Sequence, residues 1–204
     1  MGLIIGLTGG IASGKSTVAS FLETQNVPII DTDQLSRELV EPNRPALKAI
    51  TDAFGQTILQ PNGQLDRAAL RTKIFSNATS RKTLEAILHP AIRALAQHRA
   101  LEAAAQSPYV LVVIPLLAEP GVYPNYRWLN RVIGIRATPN LQRHRLMRRP
   151  GMNAERADQM LAAQSTDELR ATIVDDWLDN TGDLAQLEEQ TMRLHQRLLT
   201  ACRT

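Results

Sequence analysis

Cysteine is nearly missing from this 204-residue sequence: Cys202 stands alone. An internal disulfide and a cysteine-based metal cluster are both excluded. The four histidines (His89, His98, His144, His195) are scattered and never form an H-E-x-x-H pair, which removes the common zinc-hydrolase arrangement. Aromatic residues make up only 4%, and the formal charge is only +3 despite a pI near 9.3. A nucleic-acid binder built on stacking aromatics between basic residues is therefore not expected. Long apolar runs are lacking too; the stretch from Tyr109 to Ala118 is too short to span a bilayer. The first residues lead straight into an apolar segment with no basic leader and cleavage site. These absences point to a cytoplasmic chain with no membrane partner. No internal repeat or low-complexity tract is present.

What is present is concentrated near the start. Gly9-Gly10-Ile11-Ala12-Ser13-Gly14-Lys15-Ser16-Thr17 contains a complete G-x-x-x-x-G-K-[ST] phosphate cradle. It follows the apolar run Leu3-Ile4-Ile5-Gly6-Leu7 and opens onto helix-forming residues that include Val18, Phe21 and Leu22. In a strand, loop, helix context, successive backbone N–H groups converge on phosphate oxygens and the helix N-terminus adds partial positive charge. Lys15 is expected to reach the β- and γ-phosphates and the Ser16 hydroxyl to ligate Mg²⁺. The nine residues from Gly9 to Thr17 are thus the candidate site for a nucleoside triphosphate.

Further apolar runs, Val27 to Ile30, Val110 to Ile114 and Val132 to Ile135, predict buried strands, with a weaker candidate from Ile173 to Leu178. Leu84, Ile87, Leu88, Ile92 and Leu95 line one helical face, which Pro90 is expected to interrupt or bend. Leu184, Leu187, Leu194 and Leu198 line another. Strands alternating with helices predict an α/β fold, a doubly wound parallel sheet of five strands. The spacing is uneven, because the second strand ends near Asp31 and the third begins near Tyr109. The helical segment between them is too long for one crossover and predicts an insertion beside the sheet, positioned to bind an acceptor.

Among phosphate-loop proteins, a GTPase would need N-K-x-D, and no Asn-Lys pair exists; a transport ATPase would carry L-S-G-G-Q, also absent. Recombinase and helicase cores need more sheet than this length offers. Small kinases remain. Asp31-Thr32-Asp33 ends the second strand, close to the loop if that strand neighbours the first. Asp33 is the candidate for holding the acceptor hydroxyl, since a loose transition state rewards positioning over early deprotonation. Both aspartates also suit a turn and a helix cap. Arg143, Arg145, Arg148 and Arg149 crowd together before Pro150-Gly151, a stiff element beside a flexible one. An arginine of this cluster suits neutralising charge on a transferring group. Arg143 and Arg148 suit a solvated helix face. Arg67, beside Asp66, suits either a ligand contact or an ordinary pair with Asp66 at a helix start. Three readings stay open from residues alone: a small-metabolite kinase, a nucleoside monophosphate kinase, or a nucleotide-gated regulatory protein.

The loop and Asp31-Thr32-Asp33 resemble the opening of the dephospho-coenzyme A kinase family. The resemblance continues through Phe54-Gly55, Gly63-Gln64-Leu65-Asp66-Arg67, Leu70 and Phe75. It then takes in His89-Pro90, Pro115-Leu116-Leu117-Ala118-Glu119, Gln142, Arg145, Arg149 and Ala162-Ala163-Gln164. It implies a P-loop NTP hydrolase-like fold and transfer of the γ-phosphoryl group of ATP to the ribose 3′-hydroxyl of dephospho-CoA, with Mg²⁺. It also implies a core at about 1–33, 107–147 and 165–204, a helical CoA-binding part at about 34–106 and a lid at about 148–164. Arg145 and Arg149 fall in or beside that lid, and the resemblance singles out Arg149 as the candidate for reaching the phosphates. His89 and Pro115-Leu116-Leu117 become acceptor contacts, joining Arg67 and Asp33, and Asn180 with Gly182 forms a loop against the adenine. From the residues alone His89 also suits packing on an apolar face, Pro115-Leu116-Leu117 core packing, and Asn180 with Gly182 a plain turn. A monomer or weak homo-oligomer is expected. Three departures stand out: no Walker-B aspartate follows Val112-Val113-Ile114, as in some members of the family; Pro150 replaces a frequent acidic residue; and Ala118 replaces a usual aromatic.

Overall fold

Apolar and β-branched runs become the strands of the computed structural model, which describes residues 1–75 and 77–202. β1 (Leu3–Gly9), β2 (Ile29–Asp31), β3 (Tyr109–Val113), β4 (Arg131–Arg136) and β5 (Asp176–Asp179) form one sheet in the order β2-β3-β1-β4-β5. The pairing is parallel, with Leu3 opposite Tyr109 across β1 and β3, Ile5 opposite Arg131 across β1 and β4, and Ile133 opposite Asp176 across β4 and β5. Five parallel strands match the expectation. Every residue of β3 is buried, as are Ile4 to Gly9 of β1. Such strands read as continuous apolar runs because both faces of a parallel sheet are covered.

Two expectations are corrected. β2 does not neighbour β1; β3 lies between them. The last strand begins at Asp176, not at Ile173. The N–H groups of Ile173 and Val174 both donate to the Arg170 carbonyl (3.1 Å each), which closes the end of a preceding helix. Pairing with β4 then starts from Asp175, whose carboxylate accepts from Val132 N–H at 2.7 Å.

The helices are α1 (Lys15–Thr24), α2 (Thr32–Glu38), α3 (Pro45–Phe54), α4 (Arg67–Phe75), α5 (Ala78–Ala104), α6 (Pro139–Met147), α7 (Ala154–Ala162), α8 (Asp167–Ala171) and α9 (Leu184–Ala201). Their starts follow capping chemistry: Thr138, Asn153 and Thr166 accept N–H groups of α6, α7 and α8, and Asp183 forms a capping box with Gln186 on α9. Of the two outcomes expected at Pro90, interruption is overturned, because α5 runs unbroken through it. Proline withholds a donor from the Ala86 carbonyl; Ala86 and Pro90 are both exposed, so water is available to that carbonyl. Among the described residues no helix is long and apolar enough to cross a membrane.

The chain divides into two compact units. The first comprises Met1–Ile30 and Arg99–Thr204, the second Asp31–His98. The first unit is built on Ile5, Leu7, Leu111, Val113, Ile133 and Ile135 of the sheet, packed by Val18 and Leu22 of α1 and by Leu187, Leu194 and Leu198 of α9. The second has its own core of Val40, Leu47, Ile50, Ile58 and Leu70, against which Leu84, Ile87 and Leu88 of α5 pack.

Inside the first unit a buried polar pair joins β3 to α9. The Tyr109 hydroxyl lies 2.7 Å from His195 Nδ1, and the rings are 5.8 Å apart. Burial raises the Tyr109 phenol above its ordinary range and lowers His195 below 6.5. The unfolded chain therefore takes up a proton at His195 that the folded chain refuses. This contribution to stability is present above about pH 6.5, declines as pH falls below it, and levels off once the folded-state value is passed. Melting temperatures between pH 7.5 and 5.5 should fall more steeply for the wild type than for His195→Gln; equal slopes would remove His195 from the acid response.

Candidate active site

β1 delivers the chain to the N-terminus of α1, and the turn between them needs unusual backbone. Gly9 and Gly14 have φ of 151° and 108°, and Ala12, with a side chain, holds φ 55°. A non-glycine residue in that region stores strain of a kind that clusters at ligand sites. The first-turn N–H groups of α1, Ser16 and Thr17 among them, have no intrahelical acceptor, and no side chain caps this helix. They form an opening for an anion.

Lys15 Nζ donates to the carbonyls of Gly9 and Gly10, at 2.8 Å each. The ammonium is thus held against the loop it belongs to. Ser13 is fully buried, and its Oγ has no hydrogen-bond partner among the described residues.

Residues far along the chain wrap this loop. Arg145 of α6 donates to the Ala12 carbonyl at 3.4 Å and, through its other terminal nitrogen, to the Asn180 carbonyl at 3.2 Å and Asn180 Oδ1 at 3.0 Å. Asn180 Nδ2 donates to the Ser13 carbonyl at 2.6 Å. Just before Asn180, Asp179 is gripped by both arms of Arg136, at 2.5 and 3.0 Å, and this pairing holds its carboxyl below the usual range. Gln190 of α9 brackets the Asp179 backbone from the other side. A cavity of about 300 Å³ opens between Ala12, Gly14, Ser16 and Thr17 on one side and Arg145, Arg149, Asn180 and Gly182 on the other. Arg149 is exposed at its edge. Arg143 instead pairs with Asp158, at 2.6 and 3.2 Å, tying α6 to α7.

The first unit therefore gathers Gly14, Lys15, Ser16, Thr17, Arg145, Arg149 and Asn180. The Pro115-Leu116-Leu117 segment separates by residue: Leu117 is fully buried in the protein, whereas Leu116 is 59% exposed. Only Leu116 and the half-buried Pro115 present surface to a ligand.

In the second unit, Asp31 caps α2 by accepting from Asp33 N–H at 2.8 Å, and the Asp33 side chain is exposed on the first turn. Asp66 caps α4 by accepting from Ala68 and Ala69 N–H groups. Arg67, exposed at the first position of α4, borders an apolar hollow of about 190 Å³ that includes Leu65 and Leu70. His89 is exposed on α5 rather than set in its apolar face.

Sequence reasoning gave no role to Gln142 and Gln164. Ile11 N–H donates to Gln164 Oε1 at 2.7 Å, and Gln164 Nε2 donates to Gln142 Oε1 at 3.3 Å. No local pattern marks two amides 22 positions apart as partners. Among the described residues no cluster of three or more His, Cys, Asp or Glu side chains is set to hold a metal ion. A hydroxyl such as that of Ser16 on the loop would suit an ion with most of its shell made of phosphate oxygens and water.

The family model for dephospho-CoA kinase matches residues 3–186. The chain belongs to the dephospho-CoA kinase family. A dephospho-CoA kinase of Xanthomonas euvesicatoria pv. vesicatoria is 49% identical over 191 residues, covering 94% of this chain and 93% of that protein. One from Xylella fastidiosa is 47% identical over 193 residues, covering 95% and 92%. Among solved structures, the dephospho-CoA kinase of Campylobacter jejuni superposes with a TM-score of 0.68 at 25% identity, covering 96% of both chains. A shikimate kinase from Acinetobacter baumannii, at 18% identity and a TM-score of 0.54, shares the fold. Within the dephospho-CoA kinase family, the loop, Arg145 and Asn180 of this chain make one connected hydrogen-bonded site.

Proposed function

We propose that this chain transfers the γ-phosphoryl group of ATP to the ribose 3′-hydroxyl of dephospho-CoA, forming CoA and ADP as the last step of coenzyme A synthesis. The observation that carries this reading is a phosphate loop facing Arg145 and Arg149 across one cavity, in a chain that matches the family model over residues 3–186.

The cradle from Gly9 to Thr17 holds the polyphosphate by its N–H groups. On binding, Lys15 turns from the Gly9 and Gly10 carbonyls towards the β- and γ-phosphates. The Ser16 hydroxyl would be the protein donor to Mg²⁺, which when bound would supply neutralisation of phosphate charge. Asn180, with Arg145 and Gly182, lies against the adenine. Asp33 orients the 3′-hydroxyl. The hydroxyl oxygen forms a bond to the γ-phosphorus as the bond from that phosphorus to the β–γ bridging oxygen breaks, and ADP departs. The hydroxyl proton passes late to the Asp33 carboxylate and then to solvent. Arg149 shields the charge on the transferring group when the lid, about residues 148–164, closes.

The helical part, about residues 34–106, takes the acceptor, with Arg67, His89 and the Pro115–Leu117 segment as further contacts. For the last of these the exposed Leu116 is the contacting side chain, and Leu117 supports it from the core. The reaction is that of a soluble cytoplasmic enzyme acting as a monomer or weak homo-oligomer, with no nucleic-acid partner.

ADP release from the purified protein with Mg·ATP, with and without dephospho-CoA, tests the proposal. Strong stimulation, with a product carrying a new 3′-phosphate, is the expected result. ATP binding without stimulation would sink the acceptor assignment and direct attention to nucleoside monophosphates and small sugars or acids.

A further inference from the structure

Two amides of the phosphate loop are already committed: Ser13 N–H donates to the Gly10 carbonyl at 3.2 Å, within the loop, and Ile11 N–H reaches a side chain from far along the chain. Ile11 N–H donates to Gln164 Oε1 at 2.7 Å, so it is not open to an anion as the first-turn N–H groups of α1 are. The orientation of that carboxamide is set by Gln142, only 5% exposed on α6, whose Oε1 accepts from Gln164 Nε2. The backbone carrying Gln164 is also fixed. Ser165 is buried; its N–H donates to Glu119 Oε1 at 2.9 Å and its hydroxyl to the Ala118 carbonyl at 3.1 Å. One short segment beyond α7 thereby grips the phosphate loop with one residue and the loop after β3 with the next.

We infer that Gln164 is a positioning residue for the nucleotide: its carbonyl oxygen draws the Ile11 N–H aside and so sets the curvature of the phosphate cradle. This rests on the ATP-dependent reading given above. Gln164 touches no reacting atom in this role; it acts through Ile11. An anion site works by donors fixed before the ligand arrives, because ordering them at the moment of binding subtracts from affinity. With the carboxamide gone, Ile11 N–H is left without its partner, and the loop is free to satisfy it by turning the amide inward. The site then binds phosphate with a cradle of the wrong shape. Gln142 plays the lesser part of orienting the carboxamide.

The test uses three proteins: wild type, Gln164→Leu and Gln142→Leu. The first substitution removes the acceptor at similar volume; the second keeps it and removes only its orienting partner. Affinity for ADP and for ATP is measured by titration calorimetry with no acceptor present, alongside KM for each substrate. The Ile11 amide resonance is followed by NMR as ADP is added. Gln164→Leu is expected to weaken both nucleotides about tenfold, the scale of one buried hydrogen bond, and to raise KM for ATP in parallel while KM for dephospho-CoA holds. Gln142→Leu should weaken them about threefold or less. The Ile11 amide should shift little on ADP binding in wild type and strongly in Gln164→Leu.

Nucleotide affinity within about twofold of wild type in Gln164→Leu overturns the inference. An equal loss in KM for both substrates, or a large Ile11 shift already in wild type, overturns it as well. If Gln164→Leu does not fold, the wild-type Ile11 shift and the Gln142→Leu affinity decide alone: a small shift with a modest loss supports the inference, and a large shift overturns it. Nucleotide binding without phosphorylation of dephospho-CoA counts against the acceptor assignment only, and the binding measurements still decide the role of Gln164.

Discussion

Lys15→Ala should lower turnover by about a hundredfold to a thousandfold and weaken ATP binding at the same time. The magnitude is that of removing one fixed donor from a developing negative charge, about 3 kcal/mol. The loss is expected in both quantities because the ammonium meets the phosphates in the ground state and follows the γ-phosphoryl group as it transfers. The structure adds a second cost. Lys15 Nζ also ties the Gly9 and Gly10 carbonyls together, so the alanine variant begins with a looser loop. Steady-state kinetics with direct ATP titration checks this. Full activity in the variant would rule out the assigned phosphate contacts. Lys15→Arg should recover little, because a planar fork on a longer stem cannot sit between two adjacent carbonyls as a compact ammonium does.

Asp33→Asn gives the second large effect, with a different signature. Turnover should fall about a thousandfold, within the usual range for a positioned acid–base group, while ATP affinity stays close to wild type. Asp33 is exposed on the first turn of α2, and its backbone N–H is held by Asp31. The amide fills the same space, keeps the backbone bond at the helix start, and removes the charge and the proton acceptor. Single-turnover measurements with saturating ATP separate the chemical step from release. Ordinary turnover in Asp33→Asn would take this residue out of the mechanism.

The two residues differ in how openly the sequence announces them, and the same holds across the fold. The phosphate loop is contiguous, so Gly9 to Thr17 can be read directly, as can the strands whose apolar runs need no partner to be visible. Strand order is another matter. Nothing in Val27 to Ile30 says that β3, built from residues 109–113, will lie between it and β1; that depends on a pairing almost eighty residues away. Ile173 and Val174 have the composition of a strand, yet the closing turn of α8 claims their N–H groups first. Pro90 is legible as a helix breaker and illegible as a tolerated one, because tolerance depends on which side of α5 meets solvent. Leu116 and Leu117 are chemically identical and sit on opposite sides of the surface. The Gln142–Gln164 pair belongs with these. Its meaning comes from a loop backbone more than a hundred residues earlier, and an amide carries no pattern of its own.

Gly10 and Gly14 acquire a different significance from the same contacts. A Cβ at Gly10 would lie 2.3 Å from Gln142 Nε2, and one at Gly14 would lie 2.2 Å from Asn180 Nδ2. In both places the space a side chain needs is taken by an amide nitrogen from a distant element. Each glycine is therefore one half of a lock whose other half is a glutamine or an asparagine. Over evolutionary time the members of such a pair are not free to drift separately. At Gly10 a lineage that fills the glycine must first move the residue 142 amide aside, so its route runs through that position before it reaches the loop; Gly14, at φ 108°, resists a side chain whatever room residue 180 leaves.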